Sequence, residues 1–357
     1  MSSARQSEIL FLYDVKLANQ NGDRMAENQP RFDESDNKAI VSDVRIKRTI
    51  RDYMLNQKGF NKPSGEEKES YNKYIFVSNE TIQLASDRAK ELGVQEAAKI
   101  DGNKEAKEKI KTANEQKQLS NWDAVKKCID IRLFGAVVPK PKMEIIGSVQ
   151  FSWSKSLNPT IIMPNPITGG FGSEGNESKT LGMKPAIKYG LFAVYGTINR
   201  ANAQKLDTTE EDIVEMIDAL WHGTNFLKTT SKNQKSRAFI RIVYKENSNY
   251  YIGLLDELVS IQPKEEIDLM DISDVNSYNG IDFSRLDEKL GHIKEHIQEI
   301  QIIIDEDILS IDEEGKRQSI ENIFTNLLES KEQEKITLTV VTPFNIQSLT
   351  KGQESNE

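Results

Sequence analysis

Residues 158–186, NPTIIMPNPITGGFGSEGNESKTLGMKPA, constrain the fold more than any other segment. Pro159, Pro164 and Pro166 forbid a central strand, because proline cannot donate to a sheet ladder. Pro185 forbids a helix in the same way. The flanking runs, GSVQFSWSKSL and AIKYGLFAVYGTIN, are apolar and strand-like. The stretch therefore predicts a long arm that leaves one sheet strand and returns at the next, with a glycine-rich tip. Gly170, Gly172 and Gly175 match G-x-G-x-x-G, and Ser178-Lys179-Thr180 resembles the end of a P-loop. Neither context holds. A dinucleotide site needs a strand running into the glycines and a helix leaving them. Here prolines interrupt the upstream side, Gly182 and Pro185 stand where the helix should run, and Ser178 replaces the P-loop glycine. No nucleotide cofactor is expected. The arm instead carries Ile161, Ile162, Met163, Phe171, Leu181 and Met183. Such side chains fold back on the domain, meet a partner, or wedge between stacked bases.

The rest of the chain interleaves strands and helices. Residues 8–17, EILFLYDVKL, predict a first strand. In SDVRIKRTIRDYML, Ser42 suits an N-cap and Asp43 the positive end of a helix. Ile46, Ile50 and Tyr53 make its buried stripe, and Lys47, Arg48 and Arg51 a neighbouring cationic one that could face a phosphate backbone or simply water. Residues 56–128 predict an insertion: IFVS as a short strand, then NETIQLASDRAKELG and NKEAKEKIKTANEQKQLSNWDAVKKC as outer helices. KMEIIGSVQFSWSKSL contains an alternating strand, with Ile145, Gly147, Val149, Phe151 and Trp153 on one face. DTTEEDIVEMIDALWHG predicts a helix capped by Thr208 or Thr209 and ended by Gly223. SRAFIRIVYKENSNYYIGLL predicts a strand, a turn at 246–249 and a second strand. The last hundred residues predict a helix near 283–298, a strand near 299–304, a helix near 317–330 and a strand at KITLTVV. The class is α+β.

The net charge of −9 hides an asymmetry: residues 256–357 hold 24 acidic and 9 basic side chains, and residues 1–255 carry the balance of about +6. That pattern suits a polyanion-binding body with an acidic appendage, or an acidic solvated tail without function. The single Cys128 excludes an internal disulfide framework. With only His222, His292 and His296 beside it, a structural zinc site is not expected. No apolar run is long enough to span a bilayer, and MSSARQSEIL has no signal-peptide core, so a cytoplasmic protein without membrane contact is expected. Trp221-His222 suits packing better than catalysis, since a lone histidine lacks the oriented partners of a base.

Five motifs in order, YDVKLANQNGD, SDVRIKRTIRDY, DIRLFGAV, GSVQFSWSKSLNP and TLGMKPAIKYGLFAVYGTINRANAQ, resemble the Cas-seven superfamily, the backbone subunits of type I CRISPR interference complexes (Cascade), closest to the I-B branch. The resemblance spans about residues 8–260. It implies an RRM-like (ferredoxin-like) antiparallel sheet core, with a palm of residues 1–55 and 129–260. Helical fingers at 56–128, a thumb at 158–186 and an acidic part at 261–357 that completes or flanks the palm are further implications. It implies copies lined head to tail along one CRISPR RNA, presenting it for target DNA pairing alongside other Cascade subunits, without catalysis. The implied RNA contacts are Ser42, Arg45, Lys47, Arg48 and Arg51 on the first helix, and Lys232, Lys235 and Arg237 in the TTSKNQKSR loop and the strand after it. The implied base wedge falls among Ile162, Met163, Phe171 and Met183. Two rivals remain. In related type III subunits an aspartate in the loop before the first helix cuts RNA with a divalent metal, which makes Asp33 or Asp36 the residue to test. A plain interaction protein would bind no nucleic acid.

Overall fold

The computed structural model describes residues 2–62, 71–78, 84–100, 104–172, 179–308, 310–311, 317–320, 322–324 and 336–353. The chain divides into two compact units. Met1–Arg5, Ile50–Gln150 and Ile198–Ala219 form one, and Gln6–Thr49, Phe151–Thr197 and Leu220–Glu357 the other. The helices are α1 (Asp43–Asn56), α2 (Ala85–Glu91), α3 (Lys104–Lys126), α4 (Ile129–Phe134), α5 (Arg200–Leu206), α6 (Glu210–Phe226) and α7 (Ser284–His292).

The larger unit is built on a sheet of β1 (Ser7–Ala18), β2 (Ile162–Met163), β3 (Ala186–Ile198), β4 (Gln234–Tyr244), β5 (Ile297–Ile304) and β6 (Thr337–Val341). Their order is β2-β3-β1-β4-β5-β6. β1 runs antiparallel to β4, with Leu10 opposite Ile240, and β4 antiparallel to β5, with Ile240 opposite Ile302. The sheet is mixed rather than wholly antiparallel, because β6 lies parallel to β5, with Ile300 opposite Leu338. A parallel pair needs a crossover, and the chain between 305 and 336 is long enough to make one. Most of β1 is buried on both faces, which is why its sequence is a continuous apolar run instead of an alternation. On one face Leu10, Leu12, Ile240, Ile300 and Ile302 share a core with Phe283, Leu286 and Leu290 at α7. On the other, Phe11 stacks on Tyr13, Tyr13 on Phe192, and Trp221 meets Phe11 edge-on at 6.4 Å. The acidic third is thus no solvated tail: it supplies two strands and a helix of this core.

In the smaller unit, Ala89, Val94, Val125, Cys128, Ile131, Val138, Met143 and Leu206 form the core around α2, α3, α4 and a hairpin of Gly135–Val138 with Met143–Ile146. The extended chain after α2 is clamped to α3: Asn121 exchanges two hydrogen bonds with the backbone of Gln95, and Asn114 two with that of Ala98.

Several sequence expectations differ from the structure, each for a local reason. IFVS is not a strand; the Phe76 and Val77 N–H groups donate to the Asp130 carboxylate at 2.7 and 3.1 Å. KMEIIGSVQFSWSKSL breaks into Met143–Ile146, Val149–Phe151 and Ser154–Lys155. At the first break a Cβ on Gly147 would meet the Leu133 carbonyl oxygen at 2.3 Å. At the second, Ser154–Lys155 joins the strand Lys38–Val41, and Trp153 turns outward, away from the face that holds Phe151. α6 runs past Gly223, whose carbonyl still accepts from Leu227 N–H at 3.1 Å. The second strand expected after the 246–249 turn is absent. The Ile252 and Gly253 N–H groups donate instead to the buried Glu8 carboxylate, at 2.7 and 2.8 Å. Arg317–Gln318 pairs as a short strand at the start of the helix expected near 317–330; residues 320 and 322–324 are helical, and 321 and 325–330 lie outside the described residues.

Candidate nucleic-acid interface

Antiparallel pairing brings the end of β1 to the start of β4, with Asp14 opposite Lys235 and Val15 opposite Gln234. Tyr189, near the start of β3, donates its hydroxyl to Asp14 at 3.1 Å, so the base of the arm comes to the same end of the sheet. Three consecutive amide side chains then fix the loop that follows β1. Asn19 donates to the Asn28 carbonyl at 2.7 Å, and Gln20 to the Arg31 and Ile40 carbonyls at 3.0 and 3.2 Å. Asn21 accepts from both the N–H and the hydroxyl of Ser42 at 2.8 Å. Ser42 in turn caps α1 by accepting the Arg45 N–H at 3.4 Å. Sequence reasoning missed these amides; their signal was three amide-bearing residues directly after a strand.

The cations expected from the sequence occupy different environments. Arg48 is exposed, and Arg45, half-buried, donates to the Thr49 hydroxyl at 2.9 Å. Lys47 pairs with Asp43 one turn earlier at 3.0 Å. Lys232 donates to the Asn19 and Gln20 carbonyls beneath the loop. Burial first, and the charge of Arg45 second, push its pKa down to about 8. Arg45 thus raises the electrostatic cost of the Lys232 charge. Arg51, in the other unit, is held by the fully buried Asp130 at 2.7 Å and lies over the Phe134 ring. Arg237 is buried between Asp14 at 2.6 Å and Asp305 at 2.9 Å. Lys235 meets Asp307 at 2.7 Å and Asp305 at 2.9 Å. Burial works against both charges, yet these carboxylates hold both pKa values up. The acidic third therefore neutralises part of the basic end: Asp274 pairs with Lys16 and Asp271 with Lys188 as well.

The arm folds as a hairpin, Pro166–Gly172 antiparallel to Lys179–Met183, with Pro166 opposite Met183. Among the described residues the element after the glycines is the strand Lys179–Met183, where a dinucleotide site would have a helix. Met183 is 59% exposed, Ile162 and Met163 are half-buried in β2, and Phe171 lies on the first hairpin strand with its side chain outside the described set. Gly175 and Ser178 lie outside the described residues. Lys184 ties the arm's base to the loop before β4 by donating to the Thr230 hydroxyl at 2.8 Å.

Asp33 and Asp36 share one counterion. Lys155 donates to Asp33 at 2.5 Å and to Asp36 at 3.1 Å. Lys155 first, and Ser35 second, hold the Asp33 carboxyl down to about 2. A divalent ion here would compete with an ammonium already in place. Among the described residues no group of three or more His, Cys, Asp or Glu gathers in metal-binding geometry, and no helix is long and apolar enough to cross a membrane. His222 packs against the C-terminal segment, its Nε2 3.0 Å from the Pro343 carbonyl oxygen.

The fold is found among solved structures. It is shared with a chain described as "CRISPR RNA-guided surveillance complex, pre-nicking", at a TM-score of 0.52 and 12% identity over 97% of this chain and 99% of that one. The family model of CRISPR-associated protein Cas7 matches residues 5–280, and the chain belongs to that family. A curated relative, the CRISPR-associated protein Cas7 of Haloferax volcanii, is 27% identical over 318 residues, 85% of this chain and 88% of the relative.

Proposed function

We propose that this chain is a CRISPR RNA-binding backbone subunit of a type I interference complex, of the I-B kind, acting in the cytoplasm without catalysis. The observation that carries the reading is the meeting of Arg45, Lys232, the Ser42-capped helix and the arm's base at one end of one sheet, in a chain of the Cas7 family. The sheet is an RRM-like palm (1–55 and 129–260), 56–128 the fingers, 158–186 the thumb, and 261–357 the part that completes the palm. Arg45, Arg48 and Lys232 hold RNA phosphates, with Ser42 and Lys47 beside them. Arg51, Lys235 and Arg237 contribute charge while also holding the frame.

Phosphate neutralisation gives affinity without sequence preference, and it weakens as salt rises. A subunit that must accept any guide needs that kind of contact, since pairing with target DNA reads the sequence. The thumb reaches over RNA held by the neighbouring copy and turns out a base, with the wedge among Ile162, Met163, Phe171 and Met183. Turning out a base costs a few kcal/mol, which wedge and neighbour contacts offset. Copies meet head to tail; a contact of that kind that does not close yields a helical filament. Other complex subunits complete the assembly.

The test is binding of labelled single-stranded RNAs of unrelated sequence at several salt concentrations. Affinity should be similar for all and fall steeply with salt. Arg45→Glu with Arg48→Glu should weaken every RNA by the same factor and flatten the salt slope by about 0.7 per lost phosphate contact. Binding that ignores both salt and this double substitution would refute the reading.

A further inference from the structure

Trp153 lies between the strands Val149–Phe151 and Ser154–Lys155 and is 58% exposed, whereas unbroken alternation from Ile145 would put it with the buried Phe151. A large aromatic turned to solvent costs apolar burial, so its exposure asks for a partner. The Arg31 guanidinium carbon lies 5.7 Å from the ring centroid, over one face of the indole, and Arg31 is itself held by Asp23 at 3.1 Å. The ring is thus stiffened from one side. Its backbone position is fixed as well. Val41 is opposite Ser154, so Trp153 stands at the level of Ser42, the cap of α1, with Arg45 one turn further along.

We propose that Trp153, backed by Arg31, is a stacking platform for a base of single-stranded RNA beside the phosphate contacts of α1. This deepens, and rests on, the RNA-binding reading above. The chemistry favours RNA. Every base offers a π face, so stacking on an aromatic is sequence-tolerant in the way backbone contacts are. A guanidinium-backed indole is a flat, polarised surface suited to a base. The acids nearby are occupied: Asp23 holds Arg31, Asp43 holds Lys47, and Asp33 and Asp36 hold Lys155.

Tryptophan emission offers a direct readout. The chain has three tryptophans; Trp221 is 2% exposed and Trp122 is half-buried under Lys205. A short oligouridylate, long enough for one copy, should quench the emission of the wild-type protein as it binds. Trp153→Ala should weaken binding by about 5- to 150-fold, and Trp153→Phe should keep most of the affinity while removing the quenching. Unchanged affinity in Trp153→Ala, or quenching retained in Trp153→Phe, would overturn the proposal. So would a Trp153→Ala protein that binds the short RNA normally yet fails to assemble on long RNA, since the indole would then belong to a copy–copy contact. If the wild type shows no salt-sensitive RNA binding at all, the functional reading itself fails, and that result is distinct from these.

Discussion

Lys232 has its pKa pushed down at the interface, by burial first and the charge of Arg45 second. The folded protein releases its proton near pH 8, whereas an unfolded chain releases it at an ordinary lysine value of about 10.4. Between those values the unfolded state binds more protons, so stability rises with pH. RNA affinity moves the opposite way, because the charge that meets phosphate disappears. We expect RNA binding to fall several-fold between pH 7 and 9, and Lys232→Arg to flatten the profile; a profile identical in both proteins would contradict this. Arg237 has a different part. Arg237→Ala leaves Asp14 buried without its partner and should cost about 3–5 kcal/mol in chemical denaturation. Glu8 is fully buried and accepts from the Tyr195 and Tyr244 hydroxyls and the Ile252 and Gly253 N–H groups. Glu8→Ala takes the acceptor from the Tyr195 and Tyr244 hydroxyls and the Gly253 N–H and leaves Ile252 N–H only its longer bond to the Tyr244 hydroxyl, and melting should show a loss of several kcal/mol. The sequence displayed these charges but not their partners. Arg237 and Asp14 are more than two hundred residues apart, and only the β1–β4 register brings them together.

At the scale of elements, local rules were legible where local chemistry decides. Ser42 and Thr209 cap their helices as their positions suggest, Thr209 and Asp212 exchanging hydrogen bonds at 3.1 and 3.2 Å. The prolines and glycines of 158–186 marked an arm, and a hairpin stands there. What stayed hidden was competition for backbone donors: Asp130 and Glu8 take N–H groups that the apolar runs IFVS and YYIGLL would have given to ladders. Gly147 was read as an ordinary strand residue, yet its neighbours leave no room for a Cβ. Gly147→Ala should therefore destabilise the protein by about 1–3 kcal/mol, measured by thermal melting, although alanine is the better strand former. The arm should be separable from the fold. Asn165 and Lys184 are joined by a backbone hydrogen bond of 2.8 Å at its base. Replacing 166–183 with a two-residue turn should leave the melting temperature within a few degrees and single-copy RNA affinity nearly intact, while abolishing ordered assembly on long RNA. A shortened protein that still forms regular filaments would exclude the arm as the bridge between copies.

For the whole molecule, the charge asymmetry resolves into structure. Carboxylates of the acidic third pair with Lys16, Lys188, Lys235 and Arg237, and its strands complete the sheet. Composition could announce the imbalance but not where it is spent, because pairing depends on tertiary register. The most direct test of the central claim is the mass and absorbance ratio of particles formed with guide RNAs of increasing length, at low and high salt, with the partner subunits present. The account predicts RNA-containing particles whose mass rises in equal steps with RNA length, whatever the sequence, and which fall apart as salt rises. A nucleic-acid-free monomer at every length and salt would contradict it.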